Sequence, residues 1–394
     1  LLLVCAGLAL IYATGLGLRR VVLQTQYREH GYRVPFTLES ALHFQRIHQV
    51  VQTGGLPAVD ERIEFPHGIE TWKTYSVGSE FVYAVLVRWI PGDLPLAEKV
   101  RWIEAAWFCL GIPLMGLWIG WRTRSKFGGA VAAAFYAVSL AGLMRSTGQE
   151  LSRENFALPL LLAHFAAHAL AERMAGRRAF LGWAGASGLF LGLALCSWDM
   201  IQFYVALWVV GAGIRFFSGR MSGAHRARTL FACQLAGLLL AGLLHPYPRS
   251  HGFLLSPPMA AAYALLAGMA LEGRGVRGKR RLGAMGLVFL CCCGLGFSGA
   301  VGGAYGHFGE LVIAKIRFLN QKPADPGLLT FNQRIMWVPE LHSADMRLTF
   351  MYFPAIIITN LIGLGVVAGT SRGRADPGLI QLFFFSAASL VTFV

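Results

Sequence analysis

Long apolar stretches recur along the whole sequence and leave little polar chain between them. The stretches are roughly 16–23 residues long, about the length that an α-helix needs to cross the hydrocarbon core of a bilayer. The composition agrees, because 55 % of the residues are hydrophobic and only 14 % are charged. These features exclude a soluble domain and predict an all-α polytopic membrane protein.

The positive charge is concentrated in short loops between the apolar stretches. The formal net charge is +15, and the most basic loops are residues 122–126, 173–178, 215–228 and 274–281. Short loops rich in Arg and Lys are typical of the cytoplasmic side of a membrane protein. This distribution indicates membrane topology rather than a nucleic-acid surface, so no nucleic-acid partner is expected.

The basic loops also set the predicted topology. About 11 transmembrane helices result if each long apolar stretch is counted as one crossing. They are predicted at residues 1–18, 100–121, 128–144, 156–171, 179–197, 201–217, 230–244, 254–271, 282–304, 349–369 and 379–394. With the first loop outside, every strongly basic loop falls inside. The large extracytoplasmic loops are then residues 18–99, after the first span, and 305–348, before the last two.

Residues 75–90 form a moderately apolar stretch that Glu80 and Arg88 interrupt. We interpret it as an interfacial helix, because counting it as a crossing would put the basic loops on alternating sides. The sequence begins without Met inside one apolar stretch and stops inside another. We therefore expect a fragment, in which residues 1–394 form a transmembrane domain and a C-terminal soluble domain is not present.

The first predicted extracytoplasmic loop contains a long polar interval, residues 35–72, which begins with the helical pattern LESALHFQR. Glu39, His43 and Arg46 share one face of that helix, and Thr37 precedes it at a capping position. A polar loop of this length that carries carboxylates is usually functional. The alternative is a solvated amphipathic helix at the membrane surface.

The second acidic loop, residues 145–155, reads RSTGQELSREN and leads directly into an apolar stretch. Glu150 and Glu154 are four residues apart, so on a helix they project to the same side. Their alternative role is to complement the dipole at a helix N-terminus. That role explains one acid better than two, because like charges at this spacing repel.

The third acidic segment, FNQRIMWVPELHSADMR, lies in the late loop and contains Glu340 and His342. Three separate outside loops thus present Glu39, the pair Glu150 and Glu154, and Glu340. We expect these carboxylates to face one cavity, where they suit a hard divalent cation. The seven cysteines show no zinc-ligand spacing and are interpreted as buried apolar residues.

Together, LESALHFQR followed by GGLPAVDERIEFPHG, then RSTGQELSREN and VPELHSAD, resemble the catalytic subunit of oligosaccharyltransferases, membrane glycosyltransferases of the GT-C class. Glu39 falls on the first acid of that family's motifs, with His43 and Arg46 following. Glu154 matches the last acid of the second motif, RSxAGxxDxE. Ser152 stands at its Asp position, with Glu150 as the substitute, and Glu340 matches the acid of the late loop.

The resemblance implies glycan transfer from a polyprenyl-(pyro)phosphate donor to a protein or peptide acceptor, with asparagine favoured, at the extracytoplasmic face. It implies a multi-pass protein in contact with membrane lipid, in the inner membrane of a prokaryote. The implied catalytic residues are Glu39, Glu150, Glu154 and Glu340. Glu39, Glu154 and Glu340 are the implied ligands of Mg²⁺ or Mn²⁺. The implied donor-binding residues are His43, Arg46, Arg145 and His342. The family's acceptor-reading segment, WWDYG, does not occur within the sequence.

Two other functions are kept open. A related polyprenyl-phosphate monosaccharide transferase would use an acid of the first loop as a base, and Asp60 and Glu61 are the pair to examine. A transporter would line its cavity with carboxylates, usually near mid-span. The predicted spans are nearly free of acids apart from Glu104, which favours the transferase.

Overall fold

The computed structural model describes residues 2–31, 35–63, 66–219, 225–298, 314, 317–318 and 323–329, and this part of the chain is almost entirely helical. Its α-helices are, in order, α1 (Leu2–His30), α2 (Leu38–Thr53), α3 (Thr71–Thr74), α4 (Ser79–Val87), α5 (Leu96–Cys109), α6 (Gly111–Thr123), α7 (Lys126–Val138), α8 (Leu140–Arg145), α9 (Arg153–Arg173), α10 (Arg177–Ser197), α11 (Ile201–Phe217), α12 (His225–Leu244), α13 (Pro246–Ser250), α14 (Pro257–Gly273) and α15 (Gly278–Phe297). Two short antiparallel strands, β1 (Val59–Asp60) and β2 (Ile69–Glu70), pair within the first loop.

Five helical segments within the described residues are long and apolar enough to cross a membrane. They are Leu3–His30, Leu96–Thr123, Arg177–Ser197, His225–Leu244 and Gly278–Phe297. Shorter apolar helices occupy Lys126–Val138 and Ile201–Phe217. The all-helical membrane architecture is therefore supported. The number of about 11 spans stays a prediction, and the last two predicted spans lie outside the described residues.

The first helix does not end where its apolar stretch ends. α1 continues through Arg19 and stops at Gly31, which has a φ of +69°. Arg19 is only 1 % exposed, and its guanidinium donates to Ser146 Oγ (2.7 Å) and to the carbonyl of Gly15 (3.0 Å). These hydrogen bonds compensate part of the cost of burying its charge, and α1 continues through Arg19.

Two predicted spans are each divided into two helices. The stretch predicted at 100–121 contains the junction of α5 and α6 at Leu110. The stretch predicted at 128–144 is broken at Ser139, whose ψ of 127° ends α7 and whose side chain caps α8. The dihedrals of Leu110 remain helical, so α5 and α6 form one continuous segment, whereas the break at Ser139 is a feature that hydropathy does not report. By contrast, α4 has nine residues and is too short to cross a bilayer, as predicted.

The chain divides into two compact units. The first comprises Leu1–Gln202 and His225–Arg249, and the second comprises Phe203–Ala224 and Ser250–Val394. In the second unit, Ser256 caps α14 by accepting from the backbone N–H of Met259.

Within the first unit, α10 packs closely against its neighbour α12. A Cβ atom built on Gly188 would collide with the carbonyl oxygen of Cys233, and one built on Gly237 would collide with the carbonyl oxygen of Gly188. These two glycines therefore allow a backbone approach that no larger residue permits, which is the usual packing of helices in membranes.

A buried apolar cluster in the first unit joins the polar first loop to the helices below it. It comprises Phe36, Ile47, Tyr83, Val87, Val100, Ile103, Leu151 and Phe156. These side chains come from the segment before α2, from α2, α4 and α5, and from the second acidic loop and the start of α9. Burying them fixes the two predicted acidic loops against each other. The stabilising free energy is about 25 cal/mol per Å² of apolar surface removed from water.

Candidate active site

The N-terminal end of α2 lies directly against the second acidic loop. The side chain of Ser40 accepts a hydrogen bond from the backbone N–H of Leu151 (3.0 Å). Thr37 occupies the N-cap position as expected, but its hydroxyl donates to Gln149 (3.5 Å) instead of capping the helix. The structure therefore brings the first two acidic segments together.

Arg153 joins Glu39 to a second carboxylate. Its Nη1 lies 3.6 Å from Glu39 Oε1, and its Nη2 lies 3.9 Å from Glu80 Oε1. The Glu39 side chain is 83 % exposed, whereas that of Glu80 is fully buried. The exposed pair contributes little to stability, so Glu39 is available for other partners.

Glu80 is the site residue that sequence reasoning missed. Its Oε1 lies 3.0 Å from His43 Nδ1, and its Oε2 accepts from the backbone N–H of Gly78 (3.0 Å) and from the hydroxyl of Ser79 (3.2 Å). Burial raises the pKa of this carboxyl, but His43 and then Arg153 outweigh burial and lower its pKa to about 2. Its only sequence signal was an acid that interrupts a moderately apolar stretch.

His43 and Arg46 lie deeper than Glu39 on the same face of α2. They are 2 % and 1 % exposed, so the alternative of a solvated surface helix is wrong for this face. The Arg46 guanidinium carbon lies 3.7 Å from the centroid of the Tyr75 ring. Burial, and after it the neighbouring Arg153, lowers the pKa of Arg46. This face therefore carries buried positive charge next to the exposed Glu39.

The second acidic loop is not helical over both of its acids. α9 begins at Arg153, with Ser152 as its cap accepting from the backbone N–H of Asn155. Glu154 lies in the first turn, but Glu150 precedes the helix, so the expected i,i+4 pairing on a helix face is wrong. The two acids are nevertheless close, because Arg145 contacts Glu154 (2.5 Å) and Glu150 (3.7 Å). Ser152 thus caps α9, at the position where the family that this sequence resembles has an acid.

One face of α5 holds this acidic loop in place. Arg101 Nε donates to the carbonyl of Gly148 (2.9 Å), Glu104 Oε1 accepts from Asn155 Nδ2 (2.7 Å), and Trp107 Nε1 donates to the carbonyl of Phe156 (2.9 Å). The three side chains occur at i, i+3 and i+6, so they lie along one side of the helix.

Gly148 itself has a φ of +70°, where residues with a side chain are strained. A Cβ atom there would also collide with the side chain of Gln26.

Glu340 and His342 lie outside the described residues. The oxygen donors of Glu39 and Glu154 have the chemistry that Mg²⁺ or Mn²⁺ prefers, and Glu39 is largely exposed. Within the described part of the chain, no group of three or more His, Cys, Asp or Glu residues is gathered as a metal site. The two described candidate ligands therefore fit such an ion in donor type, and each is held by an arginine.

Asp60, which the alternative transferase would use as a base, is tied to Arg62. It is 4 % exposed, and its two oxygens accept from Arg62 Nε (2.8 Å) and Nη2 (2.9 Å). The hydrogen bond from Arg62 lowers the pKa of Asp60. A carboxylate with a lowered pKa is a weaker proton acceptor, which disfavours this alternative.

No protein-family model and no curated protein matches the chain. Solved structures do match. One is the archaeal oligosaccharyltransferase AglB from Archaeoglobus fulgidus in complex with an inhibitory peptide and a dolichol-phosphate, with a TM-score of 0.71 and 14 % identity. The crystal structure of the Archaeoglobus fulgidus oligosaccharyltransferase in the apo form also matches, with a TM-score of 0.71 and 13 % identity.

Each match covers 99 % of this chain and 47 % of the other. The chain thus spans about half the length of these solved structures. The expected likeness is confirmed for the fold, which this chain shares over nearly its whole length with an archaeal oligosaccharyltransferase.

Proposed function

We propose that this protein transfers a glycan from a polyprenyl-(pyro)phosphate donor to a protein acceptor, with asparagine favoured, at the extracytoplasmic face of the membrane. The observation that carries the proposal is the contact between the first two acidic segments, within a fold shared with an oligosaccharyltransferase. One of the matching structures is described as a complex with an inhibitory peptide and a dolichol-phosphate. A lipid-phosphate donor and a peptide acceptor are accordingly the substrates proposed here.

In this proposal Glu39, Glu154 and Glu340 hold Mg²⁺ or Mn²⁺, with Glu150 beside them as a further acid. When bound, such an ion neutralises the negative charge that develops on the departing phosphate. Glu39 is well suited to the role because its side chain is exposed and its ion pair with Arg153 is weak.

The donor phosphate is assigned to His43, Arg46, Arg145 and His342. Arginine suits this role because its planar guanidinium can donate two parallel hydrogen bonds to phosphate oxygens. Arg46 is already desolvated, and the largely exposed Arg145 forms ion pairs with Glu150 and Glu154. The lipid tail of the donor requires a membrane-embedded enzyme, which agrees with the presence of helices that are long and apolar enough to cross a membrane.

The test is transfer of a labelled lipid-linked glycan to an acceptor peptide by the purified protein. Wild type should yield labelled glycopeptide. Glu154→Gln should lower the rate on the order of a hundredfold, because one candidate ligand loses its charge. Glu70→Gln is the control, since Glu70 is exposed and its ion pair within the described residues is with the exposed Lys73. A folded wild-type protein that forms no glycopeptide, or a fully active Glu154→Gln variant, would contradict the proposal.

A further inference from the structure

The buried face of α2 contains polar atoms that have no hydrogen-bond partner among the described residues. They are Nε2 of His43 and all three guanidinium nitrogens of Arg46. A buried donor or acceptor without a partner costs roughly 1–3 kcal/mol. Unpaired groups of this kind, three residues apart on one helix face, indicate that a ligand completes their hydrogen bonds.

The other ring nitrogen of the same histidine is fully used. Nδ1 of His43 lies 3.0 Å from Glu80 Oε1. Glu80 is itself held by the backbone N–H of Gly78 and the hydroxyl of Ser79, so the carboxylate is fixed independently of His43. A carboxylate on Nδ1 keeps a proton on that nitrogen, and in the imidazolium form Nε2 carries a second N–H on the opposite side of the ring.

The edge of Tyr83 further restricts the imidazole. The two rings are perpendicular, with centroids 6.1 Å apart. The orientation of His43 is therefore set from two sides, by an anion and by an aromatic ring. Such support is typical of side chains whose position matters for binding.

We propose that Glu80 is a positioning residue that orients His43 so that its Nε2–H binds an oxygen of the donor's phosphate beside Arg46. The inference rests on the proposed function for the identity of the ligand. Glu80 does not touch the phosphate in this account, and it acts only through His43. The site accepts an oxyanion because, within the described residues, the guanidinium nitrogens of Arg46 have no hydrogen-bond partner and no carboxylate forms an ion pair with Arg46.

The experiment separates the two ring nitrogens. Asparagine at position 43 reproduces the Nδ1 donor to Glu80 but has no group at the place of Nε2. Binding of dolichol phosphate to the full chain in detergent micelles should weaken about tenfold or more in His43→Asn. Its thermal unfolding midpoint should stay close to that of wild type, because Glu80 keeps a partner. Wild-type affinity in a folded His43→Asn protein would overturn the proposal.

A double-mutant cycle tests whether Glu80 acts through His43. Glu80→Gln should also weaken binding about tenfold, yet add little to the loss already present in His43→Asn. If the fold-losses in affinity of the two single variants multiply in the double variant, Glu80 acts independently of His43, and the positioning role is refuted. If Glu80→Gln does not fold, Glu80→Asp takes its place in the cycle, because it keeps the charge but withdraws it from Nδ1. Glu70→Gln is the control and should bind as wild type does.

Inorganic phosphate is the second probe. Competition by millimolar inorganic phosphate, lost in His43→Asn, would assign recognition to the phosphate group alone. If inorganic phosphate does not displace dolichol phosphate, recognition would be assigned to the lipid-linked form. A folded wild-type protein that binds neither probe would contradict the proposed function itself. Binding that His43→Asn leaves unchanged would contradict this inference and the assignment of His43 to the donor phosphate, but not glycan transfer itself.

Discussion

Removal of the Glu104 carboxylate should detach the second acidic loop from α5. Glu104 is 2 % exposed and accepts from the Tyr83 hydroxyl and from Asn155 Nδ2. Asn155 also donates to the carbonyl of Arg145, so one amide joins both ends of the loop to the helix. In Glu104→Ala, two buried donors lose their acceptor at roughly 1–3 kcal/mol each, which gives about 2–6 kcal/mol in total.

The assay compares Glu104→Ala with Glu104→Gln in two measurements. Glutamine keeps one acceptor oxygen, so the thermal unfolding midpoint should fall less in Glu104→Gln than in Glu104→Ala. Transfer activity should fall in both variants, by about 10-fold to 100-fold in Glu104→Ala, because Glu150 and Glu154 lose their fixed position. If Glu104→Ala had the unfolding midpoint and the transfer rate of wild type, this carboxylate would not anchor the loop.

Four further predictions concern the metal, pH, topology and packing. Glu39→Gln should cost on the order of a hundredfold in rate with little change in stability, measured with Mn²⁺ and with chelator; full activity in chelator would rule out the metal site. Because the pKa of Glu80 is lowered from 4.5 to about 2, its carboxylate stabilises the fold fully above pH 4.5 and progressively less as the pH falls towards 2. As the pH is lowered from about 5 to about 3, the thermal unfolding midpoint should thus fall in wild type, and it should fall less in Glu80→Gln. On a background without native cysteines, a cysteine at Ala324 should be labelled from outside intact cells and one at Gly278 should not; the reverse pattern would contradict the topology. Gly188→Val should unfold more easily than Gly182→Val, because only Gly188 contacts a neighbouring backbone; equal stability of the two variants, measured by thermal unfolding, would refute the close helix packing.

The helical membrane fold could be predicted because hydropathy depends on composition within one segment. The ends of helices were less predictable, since they depend on contacts made elsewhere in the chain. Arg19 reads as the end of a span, yet Ser146, far away in the sequence, accepts a hydrogen bond from its guanidinium and α1 continues. A charge inside a helix can be tolerated when the tertiary structure solvates it.

The candidate site shows the same difference between local and distant information. The acids of the first two loops could be found from local motifs, and the structure brings those loops into contact. Glu80 could not, because its importance comes from His43 and Arg153, which lie on other helices. The exposure of Glu39 beside the buried His43 also depends on how α2 packs, which helical periodicity alone does not report.

Photo-crosslinking with a polyprenyl phosphate that carries a photoreactive group next to its phosphate tests the central claim most directly. The protein is irradiated in membranes, and the labelled peptides are identified by mass spectrometry. We expect label in α2 and in residues 145–155, and we expect unlabelled lipid-linked glycan to compete for it. Label confined to residues 272–281, in the basic loop predicted to be cytoplasmic, or label that the lipid-linked glycan does not displace, would contradict the account.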